Sequence, residues 1–176
     1  TWTDALTWLS GMLSDPSVLG VLVPMLQGAL VFTLVVGSVV LHEVAHADTA
    51  EHHGDLSARM AGQMSWKPWR FMNVTSATAL LVTSLLGTPV TVFFVVLHPA
   101  LTKPQNRRAL SDVGVVGPLV SLLLGVVLMS VYSLLTNVVP EQDVWRPLVD
   151  ALEFAGGLNI TFAILNMIPI APLDGA

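Results

Sequence analysis

The chain has 176 residues, of which 53% are hydrophobic and only 11% are charged. Soluble domains carry roughly 25% charged residues, so this composition indicates a membrane protein. Cysteine is absent from the sequence, which excludes disulfides and thiolate metal ligands. The net charge of −5, without a basic block, argues against nucleic acid as a partner.

Four apolar stretches follow a short first segment, and each exceeds the ~20 residues that a helix needs to cross the hydrocarbon core. They occupy residues 18–41, 74–97, 113–139 and 151–172, and Glu153 is their only charged residue. Residues 1–17 carry Trp2 and Trp8, which predicts an interfacial segment. We expect an all-α membrane protein with a multi-span helical core. In this interpretation residues 1–176 form a single membrane-embedded unit excerpted from a longer chain.

The second apolar stretch, residues 74–97, is interrupted at its middle by Gly87, Thr88 and Pro89. Glycine and proline together mark a break in a membrane helix more often than a simple kink. We therefore expect residues 74–97 to form a re-entrant hairpin. One kinked span is the alternative that the sequence leaves open.

The first apolar stretch runs directly into the sequence His42-Glu43-Val44-Ala45-His46. Residues four apart lie on one face of a helix, so His42 and His46 can present two imidazole nitrogens to one zinc ion. Glu43 projects beside them and can take a proton from a water that zinc acidifies. An ionisable residue near the membrane interior costs about 2.5 to 3.5 kcal/mol. A metal site explains why three polar residues end this apolar run.

A catalytic zinc needs three protein ligands and an open position for water. The candidate third ligand is Asp174, which follows an apolar stretch interrupted by Pro169 and Pro172. Proline breaks a helix, and a broken helix at membrane depth is tolerated where it lines a buried or watery cavity. Such a cavity is a place where a metal-binding carboxylate can lie. The sequence thus predicts one zinc ion per chain.

The pairing of HExxH in one apolar segment with NxxPxxxxDG in a later one resembles the signature of the site-2 proteases, which are intramembrane zinc metalloproteases. The residues that match are His42, Glu43, His46, Asn166, Pro169, Asp174 and Gly175. The resemblance implies a catalytic core that hydrolyses a peptide bond in or near a transmembrane segment of a membrane-protein substrate. It also implies that His42, His46 and Asp174 bind the zinc and that Glu43 activates water.

A weaker match to the same family lies between the two motifs in the sequence. The segment from Gly117 to Ser121 looks like the family's GxxxN/S/G motif, and both residues have the small-residue spacing that allows close helix packing. The resemblance implies that Asn166 supports the site or contacts substrate, with Pro169 and Gly175 beside it. Gly117 and Ser121 are expected to lie next to the site in a supporting role.

The basic residues favour the hairpin and give the site a side of the membrane. The links that flank residues 74–97 carry Arg59, Lys67, Arg70, Lys103, Arg107 and Arg108. A hairpin puts all six on one side and leaves only Arg146 opposite, and the positive-inside rule labels the richer side cytoplasmic. The same arrangement brings His42 and Asp174 to that side. We expect a multi-pass protein of a prokaryotic cell membrane, with its active site toward the cytoplasm.

Residues 54–67 follow the HExxH helix and are similar to the segment at this position in one prokaryotic branch of the family. Cleavage requires a locally extended substrate, and an exposed strand edge is a natural clamp for an extended peptide. We therefore expect a small extended segment here.

Other functions stay open at this point, and so does the oligomeric state. One type of zinc transporter also carries HExxH in a membrane helix, but it usually has Glu after the second His, where this chain has Ala47. A different membrane zinc protease class takes a glutamate as third ligand, for which Glu141 and Glu153 are poorly placed. A non-catalytic zinc-binding membrane protein would keep the fold, although Glu43 argues against it.

Overall fold

The computed structural model describes residues 2–62, 64–72, 74–86 and 107–168, and within these ranges all regular secondary structure is helical. The elements are α1 (Trp2–Leu13), α2 (Pro16–His52), α3 (Ser57–Met60), a 3₁₀ helix (Pro68–Arg70), α4 (Val74–Leu85), α5 (Arg107–Thr136) and α6 (Arg146–Asn166). The prediction of an all-α fold is confirmed.

Three helices, α2, α5 and α6, are long and apolar enough to cross a membrane. They correspond to the first, third and fourth predicted stretches. α2 has 37 residues and is therefore about 55 Å long, which exceeds the ~30 Å hydrocarbon core. Its start is fixed by Asp15, whose side chain accepts a hydrogen bond from the Ser17 N–H at 2.8 Å. α2 is therefore longer than its apolar part, and its polar C-terminal residues continue beyond that part.

α2 and α6 run in the same direction. The Asn159 side chain donates a hydrogen bond to the Ser38 hydroxyl at 2.9 Å. One turn further along both helices, the ring of Phe162 lies 4.9 Å from that of His42. The end of α6 therefore arrives at the height of the HExxH residues, as a shared site requires.

α5 runs antiparallel to both of these helices and packs against the face of α2 that carries His42 and His46. Two glycines allow α5 to approach α6 closely. A Cβ built at Gly125 would lie 2.9 Å from the Gly156 carbonyl oxygen and 2.7 Å from Cγ1 of Ile160. Because neither glycine carries a side chain, the two backbones approach closely and α6 is held against α5.

The hydrophobic core lies between α2, α4, α6 and the link that precedes α4. Its buried side chains include Val36, Val39, Val40, Phe71, Met72, Leu80 and Ala151. α4 lies along α2 so closely that a Cβ at Gly28 would lie 2.7 Å from the Leu85 Cα. α4 is the first half of the predicted hairpin at residues 74–97. Its second half, with Gly87 to Pro89, lies outside the described residues, and the hairpin stays a prediction.

The predicted extended segment after α2 takes a different form. Gly54 ends α2 with φ +86°, and the helical turn α3 follows at Ser57–Met60. Irregular backbone continues from residue 64, and the described residues between 54 and 67 contain no strand. The reason is local and tertiary. The Asp55 carboxylate accepts a hydrogen bond from the Ser57 N–H at 2.9 Å, which initiates the turn, and the turn buries Ala58 completely.

Candidate metal centre

His42 and His46 lie on consecutive turns of α2 and face the interior of the bundle. Their side chains are 1% and 5% exposed, and their rings meet edge to face with centroids 4.7 Å apart. The Nε2 atoms of the two imidazoles are 3.0 Å apart. Two nitrogens bound to one tetrahedral zinc at ~2.0–2.1 Å would be about 3.3 Å apart. The pair is thus close to the spacing that a shared metal ion requires.

The other nitrogen of each imidazole is held by α5. Nδ1 of His46 lies 2.6 Å from the Val113 carbonyl oxygen, and Nδ1 of His42 lies 2.9 Å from the Ser121 hydroxyl. A carbonyl only accepts hydrogen bonds, so His46 donates its Nδ1 proton and keeps a lone pair on Nε2. The Ser121 hydroxyl can hold His42 in the same tautomer. This is the orientation in which histidine binds metals through Nε2.

Gly117 lies directly opposite the two Nε2 atoms. A Cβ at this position would lie 2.2 Å from Nε2 of His46 and 2.8 Å from Nε2 of His42. Any side chain there would occupy the space that both nitrogens face. The spacing of the two Nε2 atoms and the absence of a side chain at Gly117 are what a shared metal ion requires of these residues, so the residues present fit such an ion.

Glu43 follows His42 in the same buried turn, and only 5% of its surface is exposed. Burying a carboxylate in an apolar bundle is costly unless a cation or hydrogen-bond donors stand near it. A metal ion held by the two neighbouring imidazoles would supply that cation. A buried carboxylate beside such an ion would be well placed to exchange protons with a water there.

Asn166 is the last residue of α6 and is 6% exposed. It lies four residues after Phe162, as His46 lies four residues after His42, so it reaches the height of His46 on the neighbouring helix. Its Nδ2 is buried and has no hydrogen-bond partner within the described residues. An unsatisfied buried donor costs about 1–3 kcal/mol. Such a donor is kept where it serves a ligand or a further part of the chain.

Three of the predicted site residues, Pro169, Asp174 and Gly175, lie outside the described residues. Among the residues that the structure does describe, no three His, Cys, Asp or Glu side chains gather at one point. The third ligand is therefore still the sequence-based prediction. The structure brings His42, His46, Gly117 and Ser121 together.

Two contacts of the site were missed by the sequence interpretation. The Val113 carbonyl is a backbone group, which no residue type reveals. Phe162, whose ring contacts His42, resembles any other apolar residue of α6. The side chain of Asn159 is buried and makes an interhelical hydrogen bond to Ser38.

The chain is similar over nearly all its length to two mycobacterial proteins, each named as a candidate zinc metalloprotease, Rip2. It is 29% identical over 174 residues to the protein from Mycobacterium tuberculosis and 28% identical over 176 residues to that from Mycolicibacterium smegmatis. In both comparisons 97% of this chain aligns with 62% of the relative, so the chain spans less than two thirds of their length. No protein-family profile matches the chain. No solved structure matches it either.

Proposed function

We propose that this chain is the catalytic core of an intramembrane zinc metalloprotease of the site-2 type. It would hydrolyse a peptide bond in or near a transmembrane segment of a membrane-protein substrate. The observation that carries the proposal is the facing pair of Nε2 atoms, 3.0 Å apart and buried on a helix long and apolar enough to cross a membrane. The names of the two mycobacterial relatives support the same class of enzyme.

The residues proposed to hold the zinc are His42, His46 and Asp174. When bound, zinc supplies a Lewis acid that acidifies water and polarises a carbonyl group. Glu43 takes a proton from the attacking water and later gives it to the leaving amine. Burial of Glu43 excludes bulk water from this transfer.

Two residues of α5 prepare the imidazoles before substrate arrives. The Val113 carbonyl and the Ser121 hydroxyl hold the Nδ1 atoms, so both rings keep their orientation throughout the reaction. The buried Nδ2 of Asn166 is proposed to donate a hydrogen bond to a carbonyl of the extended substrate backbone. The missing partner of this group within the described residues supports that role.

The proposed location is a bacterial cell membrane, with the site toward the cytoplasm. The two relatives are bacterial proteins. α2 and α6 run in parallel, so the ends that carry HExxH and Asn166 lie at the same height. The positive-inside rule applied to the basic links assigns this height to the cytoplasmic side.

The first experiment measures zinc per chain in purified full-length protein and in its Asp174→Ala and Glu43→Gln variants. We expect one zinc in the wild type and in Glu43→Gln, and a marked loss in Asp174→Ala. In vesicles that contain a single-span reporter substrate, Glu43→Gln should keep its zinc and lose cleavage. That combination separates proton transfer from metal binding.

Three results would contradict the proposal. Unchanged zinc in Asp174→Ala would mean that Asp174 is not the third ligand. Zinc flux into sealed vesicles, with no cleavage of any single-span substrate, would replace the protease by a zinc transporter. Zinc binding without either activity would indicate a non-catalytic zinc protein.

A further inference from the structure

A second feature of the molecule lies away from the histidines, between α2, the 3₁₀ helix and α4. These elements surround a half-open cavity of about 280 Å³, whose walls are almost entirely apolar. Phe32 and Val36 of α2 form one wall, Ala77 of α4 forms another, and Met72 and Trp69 close the end. Since Val36 precedes His42 by six residues, the cavity begins about 9 Å along α2 from the histidines. We call it the α2–α4 groove.

The segment that supplies Pro68 and Trp69 to the groove also carries aromatic and basic residues on either side of them. Trp66 and Trp69 are both about 70% exposed, which is typical of residues at a membrane interface. The Lys67 Nζ lies 5.9 Å from the centre of the Trp69 ring. The Arg70 guanidinium carbon would lie 3.4 Å from a Cβ at Gly62, so this side chain packs over a glycine.

Lys67 and Arg70 have no acidic partner within the described residues, whereas Arg59 pairs with Glu51 at 3.0 Å and Arg146 pairs with Asp150 at 2.8 Å. The surrounding sequence offers no compensation, because residues 56–111 contain six of the seven basic residues and no Asp or Glu. A basic segment next to an apolar cleft attracts an anion that carries an apolar tail.

We propose that the α2–α4 groove binds one anionic phospholipid. An acyl chain lies between Phe32, Val36 and Ala77, and the phosphate lies against Lys67 and Arg70. Basic residues at the cytoplasmic surface attract anionic lipids, with each contributing about a five-fold gain in affinity. The indole of Trp69 stands between the two parts, at the level of the lipid headgroup.

The apolar walls and the basic surroundings of the groove together favour a lipid as its occupant. A single extended acyl chain can lie in a half-open apolar groove of about 280 Å³, and the basic residues beside it favour an anionic headgroup. Neither feature involves the histidines or the proposed proteolysis.

The test uses quenching of Trp69, which lines the groove. Full-length protein that retains Trp69 and has every other tryptophan replaced by Phe is placed in phosphatidylcholine vesicles. Phosphatidylglycerol or phosphatidylcholine with brominated acyl chains is titrated in over the same range of mole fractions. We expect half-maximal quenching of Trp69 at a phosphatidylglycerol mole fraction up to about 25-fold lower, because each of the two cations contributes about five-fold. Lys67→Gln with Arg70→Gln should abolish this preference, with about a five-fold loss per cation.

The matched control is Arg59→Gln with Arg108→Gln, which removes the same charge elsewhere and should keep the preference. Ala77→Leu fills the groove and should weaken quenching by both lipids. Far-ultraviolet circular dichroism of each variant reports folding independently of lipid and of zinc. Equal quenching by the two lipids in the parent protein would overturn the proposal, because Trp69 would then contact the surrounding bilayer without any preference for an anionic lipid. Absence of quenching by either would also overturn it, because protein rather than lipid would then cover Trp69.

Discussion

The Nε2 atoms of His42 and His46 lie 3.0 Å apart inside an apolar bundle. Two nitrogen lone pairs repel each other at this distance unless a cation or a proton lies between them. The four-residue spacing on α2 brings the rings to one face, but contacts with α5 fix their final orientation. The site therefore depends on the packing of two helices and not on the HExxH helix alone.

We predict that Gly117→Ala abolishes zinc binding and activity. Its new Cβ would lie 2.2 Å from the Nε2 of His46, a separation that real Cβ atoms do not show. Either the imidazoles leave their positions or α5 moves away from α2. Zinc per chain, measured by mass spectrometry of the metal after purification, should fall well below that of the wild type.

The control for this change is Gly37→Ala, five residues before His42 on α2. A Cβ there meets nothing within 4 Å, so zinc content should be unchanged. Equal zinc in Gly117→Ala and in the wild type would show that the two histidines do not bind the metal on the side that Gly117 faces.

We predict that Ser121→Ala weakens zinc binding without removing it. The hydroxyl lies 2.9 Å from the His42 Nδ1 and orients the ring. Loss of such a partner typically lowers metal affinity by about 10–100-fold. Competition with a zinc chelator of known affinity measures this change directly.

Ser130→Ala is the matched control for Ser121→Ala. The Ser130 hydroxyl bonds only to the Val126 carbonyl of its own helix, at 2.7 Å, and the side chain is exposed. Its zinc affinity should equal that of the wild type. The same affinity in Ser121→Ala would mean that the hydroxyl does not orient His42 toward the metal.

The sequence predicted the site correctly where residues of known chemistry are spaced at the helical period. Two histidines four residues apart after an apolar run predicted a buried pair on one helix face, and the structure has that pair. Gly117 and Ser121 were expected beside the site because their segment resembles the family's GxxxN/S/G motif, and their four-residue spacing allows close helix packing. Both contact the imidazoles.

The sequence was uninformative where a contact depends on backbone or on tertiary burial. The carbonyl of Val113 could come from any residue type, so its bond to His46 left no mark in the sequence. The extended segment was expected from a functional argument about substrate, and burial of Ala58 against the bundle favoured a helical turn instead. The conformation of such a segment depends on its packing contacts with the rest of the bundle, and the local sequence pattern does not reveal those contacts.

We predict a measurable coupling between Ser38 and Asn159. Their hydrogen bond of 2.9 Å is buried and joins α2 to α6 one turn before the histidines. Hydrogen bonds between membrane helices contribute about 0.6 kcal/mol on average. Reversible unfolding in mixed detergent micelles, applied to Ser38→Ala, Asn159→Ala and the double variant, measures the coupling energy.

The double variant should be more stable than the sum of the two single losses predicts, because both remove the same bond. Additive losses would mean that the two side chains act separately. In that case the parallel register of α2 and α6 would rest on other contacts.

We predict that Gly125→Ala destabilises the bundle, whereas Gly157→Ala does not. A Cβ at Gly125 would lie 2.7 Å from Cγ1 of Ile160 and 2.9 Å from the Gly156 carbonyl oxygen, so α5 and α6 must separate. Overpacking of this kind costs about 1–3 kcal/mol. A Cβ at Gly157 meets nothing within 4 Å, and alanine there gains up to about 1 kcal/mol of helix propensity. The two variants should shift the free energy of unfolding in opposite directions. Unchanged stability in Gly125→Ala would show that the α5–α6 approach does not depend on Gly125, and an equal loss in Gly157→Ala would show that the effect is not specific to the crowded position.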